Sequence, residues 1–88
     1  MNKNKSIYSS EYSDLIELLT RERKRLGLSQ AEVAEAIGMS QSDVSKIENQ
    51  ERRIDVYEFR KLLGVYRIQA NPRLKTLVKD FFGVNDES

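Results

Sequence analysis

Residues 28–49, LSQAEVAEAIGMSQSDVSKIEN, constrain the fold more than any other part of the chain, because they encode two short helices joined by a tight turn. The first helix start is a capping box: Ser29 can accept from the backbone N–H of Glu32, while the Glu32 carboxylate reaches back to the N–H of Ser29. Leu28 and Val33 flank it as a hydrophobic staple. Gly38 falls where the helix must end in a left-handed residue, a conformation glycine adopts without a steric penalty. A second start follows at once. Ser40 is its N-cap, Asp43 the acidic third residue, and Met39 with Val44 a second staple, so the next helix is expected over 41–48. A good cap contributes about 1 kcal/mol, which matters for helices too short to persist alone.

The apolar spacing predicts how these two helices meet. Val33, Ala34 and Ile37 share one face of the first, and Val44 and Ile47 one face of the second, with the small Ala34 permitting close approach. The rest of the second helix is polar, so Gln41, Ser42, Ser45, Lys46 and Asn49 are expected to point outward from a rigid support. Two readings of that face are open: a surface-reading helix, or an ordinary solvated one.

The run Leu28-Ser29-Gln30, Ala34, Gly38, Ser40-Gln41, Val44-Ser45, Ile47-Glu48-Asn49 resembles the xenobiotic-response-element (XRE) type of helix-turn-helix regulator, the lambda-repressor-like class. The resemblance covers residues 15–63. It implies an all-α, compact five-helix DNA-binding domain with the helix-turn-helix at its second and third helices. It also implies a transcription regulator, most often a repressor, that binds a double-stranded DNA operator with sequence specificity. By the same resemblance Gln30 contacts a phosphate and braces Gln41. Gln41, Ser42, Ser45 and Lys46 face base edges, and Asn49 with the following Arg52 and Arg53 holds the DNA backbone. Arg23 and Glu48 stand where the family often joins its first helix to the end of the recognition helix by an ion pair.

Elementary chemistry supports several of these roles independently. A glutamine amide offers a donor and an acceptor side by side, matching adenine N6 and N7 in the major groove, a contact worth about 1–3 kcal/mol of discrimination. Gln41 is therefore the best candidate base reader. Ser42 and Ser45 can approach closely, but a hydroxyl both donates and accepts and so discriminates poorly. Lys46 fits either guanine or a phosphate. Asp43 departs from the pattern, since phosphates repel a carboxylate; a capping acid stabilised by the helix dipole explains it better than cytosine recognition.

A formal net charge of +1 over 88 residues is low for a nucleic-acid binder, so bulk charge carries no inference. Local charge is more informative. Arg21, Arg23, Lys24 and Arg25 crowd the end of the first helix, placed equally well for the helix dipole or for DNA, and Arg52 and Arg53 follow the recognition helix. Cysteine and histidine are both absent, which excludes a disulfide framework, a zinc finger and thiol redox sensing, and removes the usual general base. Carboxylates fall at caps or on helix faces rather than as a catalytic pair, so no enzyme activity, cofactor or metal site is expected. No apolar run is long enough to span a membrane, and the polar start MNKNKSIYSS lacks the core of a secretory signal. A cytoplasmic protein is expected.

The flanking helices are also legible. The first is expected to begin near residues 10–13 and to end at Leu26 before Gly27, with Leu15, Leu18, Leu19 and Leu26 as its inward stripe. A fourth opens with a box of Asp55 and Glu58, with Ile54 stapled to Phe59, and should stop at Leu63 before Gly64; Val56, Phe59, Leu62 and Leu63 would close the core. A C-terminal helical segment over 68–83 takes its start from Asn71-Pro72, an N-cap followed by a first-turn proline. Its Leu74, Leu77, Val78, Phe81 and Phe82 form a full apolar face that must be buried, either within the domain or as a candidate dimer interface across a homodimer. Residues 65–68 alternate too briefly to assign as a strand. Residues 1–9 read as a flexible arm, either simply disordered or with Lys3 and Lys5 reaching DNA, residues 10–83 as the single domain, and 84–88 as a frayed acidic tail. Two further readings stay open: an antitoxin or restriction–modification controller, and a protein-interaction module whose apolar last helix grips a regulatory partner.

Overall fold

The computed structural model describes residues 9–83, and the expectations for the arm at 1–8 and the tail at 84–88 lie outside them. Five α-helices follow one another: α1 (Ser10–Arg25), α2 (Gln30–Ile37), α3 (Gln41–Glu48), α4 (Val56–Val65) and α5 (Pro72–Phe82), with a 3-10 turn (Ile68–Ala70) before the last. No strand occurs among the described residues, and Val65 and Ile68 belong instead to the end of α4 and the start of that turn. α2 packs on α3 and α4, while α1 lies across α3 and against α5.

Local chemistry sets most of the helix ends. The Ser29–Glu32 and Asp55–Glu58 capping boxes are both formed in full, Ser40 accepts from the Asp43 N–H at 3.0 Å, and Asn71 accepts from the Leu74 N–H at 3.1 Å. Gly38 is left-handed and closes α2. The fourth helix departs from expectation: it continues through Gly64 to Val65, and Arg67, at φ 59°, takes the left-handed turn. Continuing the helix brings Tyr66 onto the face of Leu62, one turn on, where it is almost fully buried. Burying a large aromatic stabilises by roughly 2–3 kcal/mol, which exceeds the cost of about 1–2 kcal/mol for one left-handed arginine.

The core stripe of α1 is Tyr12, Leu15, Ile16 and Leu19, so Ile16 takes the place expected of Leu18, which stays 39% exposed. Leu26 is only half-buried. Val56 also departs from expectation: at the first position of α4 it precedes the stripe that reaches the core, and it is 85% exposed. From α5, Leu74 is fully buried within the domain, Leu77 and Val78 are half-buried, and Phe81 and Phe82 are exposed.

A buried polar knot ties α1 to α5. The Asn71 Nδ2 donates to Glu22 Oε2 at 2.6 Å and to the Tyr66 carbonyl at 3.1 Å, while Arg25 donates to both Glu22 oxygens. The Arg25 bonds, helped by Asn71, hold the Glu22 carboxyl below the usual carboxylate range despite its burial. Arg52 does the same for Glu58. The unfolded chain thus protonates at these two positions at higher pH than the folded one. Their stabilisation is complete above about pH 5.5 and is lost as pH falls through the carboxylate range. Thermal midpoints should be level between about pH 6 and 7 and decline below about pH 5, with Glu22→Gln flattening part of that decline.

Candidate nucleic-acid interface

α3 is anchored by Val44 and Ile47, buried against α2 and the core, which turns its other side to solvent. Gln41, Ser42, Lys46 and Asn49 are exposed and Ser45 is half-buried, so the candidate base readers share one outward face. The Asn49 Nδ2 lies 3.5 Å from Ser45 Oγ, one turn back along that face. Asp43, half-buried, donates its N–H to the Ser40 cap in the first turn.

The rigidity of that helix comes from Glu48 at its last position. Arg23 of α1 donates Nε to Glu48 Oε2 at 2.7 Å and Nη2 to Oε1 at 2.9 Å, a two-pronged pair. Its Nη1 donates to the Leu28 carbonyl at 2.8 Å, at the entry to α2. With side chains only 10% and 11% exposed, the pair is close to a buried one, and the Glu48 bonds raise the Arg23 pKa above its ordinary value. Gln30 Nε2 completes the knot by donating to Glu48 Oε1 at 2.9 Å. Here the geometry differs from the role implied by resemblance: the Gln30 amide braces Glu48 at the far end of α3, not Gln41 at its start. A carboxylate accepts from an amide more strongly than a second amide would, which favours Glu48 as the acceptor.

The segment leaving α3 is fixed as firmly. Arg52 meets Glu58 through two parallel bonds of 2.9 and 2.8 Å and also donates to the Arg53 carbonyl at 3.1 Å. Glu58 serves twice, since its Oε1 also accepts the Asp55 N–H at 3.1 Å. Arg52 is therefore a strut between the loop and α4. Arg53 is exposed and lies over the Tyr12 ring, 4.9 Å from its centroid. Among the arginines at the end of α1, Arg23 and Arg25 are engaged with Glu48 and Glu22, and exposed Arg21 stands 3.8 Å from Glu17. Sequence reasoning missed Tyr12, Ser13 and Gln50 as members of this region. Only the helical periodicity of Tyr12 with Leu15, Ile16 and Leu19 hinted that its ring faces inward.

Among the described residues no cluster of His, Cys, Asp and Glu can hold a metal ion, and no helix is long and apolar enough to cross a membrane. An all-helical domain with two short helices across a glycine turn, the second polar on its outer face, is a helix-turn-helix. A family model described as helix-turn-helix matches residues 19–72. The chain belongs to that family, in its XRE branch, and is a DNA-binding transcription regulator that recognises double-stranded DNA. The family is one of regulatory domains rather than of enzymes. No curated protein matches the chain.

Proposed function

We propose that the protein is a sequence-specific repressor that inserts α3 into the major groove as a homodimer on an inverted repeat. The observation that carries this reading is the outward polar face of α3, Gln41, Ser42, Ser45 and Lys46, on a helix whose inner face and last residue are locked into the core. Gln41, in the first turn of α3, reads adenine through its amide, Ser42 and Ser45 allow close approach, and Lys46 meets guanine or a phosphate. Asn49, Arg53 and Gln30 contact the DNA backbone, with Arg52 holding the loop in place. A DNA target puts the site of action in the cytoplasm, with the chromosome.

The homodimer reading rests on what α5 leaves uncovered. Leu15, Leu18, Leu77 and Phe81 line a groove of about 430 Å³ between α1 and α5, and Phe82 packs edge-on against Phe81 at its end. Arg73 on that rim faces the same groove as Glu11, Asp14 and Asp80, so a two-fold copy meets charges of both signs. Leu74 is spent inside the domain and contributes nothing to this seam.

Gln41→Ala tests the assignment of the reader. On a duplex selected by the wild-type protein, the ratio of specific to nonspecific affinity should fall about tenfold or more, with nonspecific binding retained. An unchanged ratio removes Gln41 from base reading.

A further inference from the structure

We infer that the groove where the ends of α1 and α4 meet the start of α5, walled by Arg25, Arg67 and Arg73, binds the phosphate group of a small phosphate monoester. Bound there, the ligand also loosens the homodimer through Arg73, a consequence that rests on the dimer reading above. The groove has a volume of about 410 Å³, within the range of small-molecule sites. Three guanidiniums and no carboxylate line it, a concentration of charge that the net +1 of the whole chain does not suggest. None of the residues assigned to DNA contact is among its walls.

Charge and geometry specify the ligand class. Arg25 spends its Nε and Nη2 donors on Glu22, a buried carboxylate that offsets one of the three positive charges. The charge of Arg73 also helps to lower the Glu22 pKa, but among the described residues neither Arg67 nor Arg73 stands in an ion pair. Three guanidiniums less one carboxylate leave a surplus of two positive charges. A phosphate monoester carries about −1.5 to −2 at neutral pH, with three acceptor oxygens. Planar guanidinium forks meet such oxygens two at a time. Leu26, Ala70 and Pro72 line the same groove and offer apolar surface to the organic group that bears the phosphate.

Arg73 couples this site to the dimer because it lines both grooves. On its other side it faces Glu11, Asp14 and Asp80, and it is the only cation among the residues lining the α1–α5 groove. Once a phosphate neutralises Arg73, each copy brings three carboxylates and no compensating cation to the seam. Like charges then oppose one another across the interface, which disfavours association. By linkage, the ligand binds the monomer more tightly than the dimer.

Phenyl phosphate titrated into the full chain at fixed ionic strength, followed by amide nuclear magnetic resonance, tests the site. Saturable shifts are expected at Arg67, Ala70 and Arg73 and not along α3, with phenol producing none. Arg67→Gly removes a guanidinium yet suits the left-handed turn at φ 59°, so the variant keeps its fold. It and Arg73→Gln should each bind about tenfold more weakly or worse. Absence of saturable shifts, or variants that bind like wild type, overturns the site. Were the operator backbone the true source of phosphate, Arg67→Gly would lower the slope of log DNA affinity against log salt by about 0.9. An unchanged slope is expected, and such a drop overturns a small-ligand site. Sedimentation without DNA tests the coupling: phenyl phosphate at a concentration that saturates the wild type should raise its dimer dissociation constant about fivefold or more, with a smaller effect on Arg67→Gly. An unchanged constant overturns the coupling. A wild-type protein that is monomeric without ligand removes the dimer reading and the coupling with it, while the titration still decides the site.

Discussion

Glu48→Ala is expected to remove about 3–5 kcal/mol of folding stability, the usual consequence of leaving one partner of a buried ion pair behind. Glu48 accepts three hydrogen bonds, two from Arg23 and one from Gln30, with its side chain 11% exposed. Without it the Arg23 guanidinium remains in the core with only the Leu28 carbonyl to receive it. A small domain typically has about 5–10 kcal/mol in total, so this single change consumes much of it. Glu48→Gln keeps an acceptor for part of the network and should cost less. Denaturant unfolding of the three proteins separates these cases: a Glu48→Ala variant as stable as wild type would show that the pair contributes orientation alone.

The second large effect is expected from Tyr66→Ala, at about 3–5 kcal/mol, the range for emptying a buried aromatic site. Tyr66 is 1% exposed, and it is joined to both ends of the domain: its ring fills the core beside Leu62, and its carbonyl accepts from Asn71 at the start of α5. Removing the ring also removes the reason for α4 to continue past Gly64, so the left-handed turn at Arg67 loses its compensation. Thermal and denaturant unfolding should both register the loss. Phe82→Ala, at an exposed position on α5, should cost well under 1 kcal/mol by comparison.

The contrast between these sites explains what was legible in the sequence. Helix starts were readable because each is a local bargain: Ser29 with Glu32, Ser40 with Asp43, Asp55 with Glu58 and Asn71 with Leu74 are each three residues apart. The outward face of α3 was readable for the same reason, since Val44 and Ile47 fix which side is buried. The end of α4 was not, because Gly64 is a local stop signal overridden by the distant packing of Tyr66. Nor was the choice of Ile16 over Leu18, which depends on where Val33, Val44 and Ile47 of the next two helices lie against α1. The polar knot of Glu22, Arg25 and Asn71 and the grip of Tyr12 and Ser13 on the 50–54 segment join residues 37 to 49 positions apart. Cap and periodicity rules cannot reach that far. Arg52 shows the same limit within a site, since its sequence position suits a phosphate contact while its nearest partner is Glu58, six residues on.

DNA reading by α3 is tested most simply by selection of duplexes from a randomised pool, followed by binding of the selected duplex across a salt series with excess nonspecific competitor. Enrichment of an inverted repeat whose half-sites lie about one helical turn apart, ~34 Å, is expected. Affinity should fall steeply with salt, as several phosphate contacts demand. No enrichment, together with an affinity indifferent to salt, would contradict DNA reading by α3 and turn attention to the apolar groove between α1 and α5.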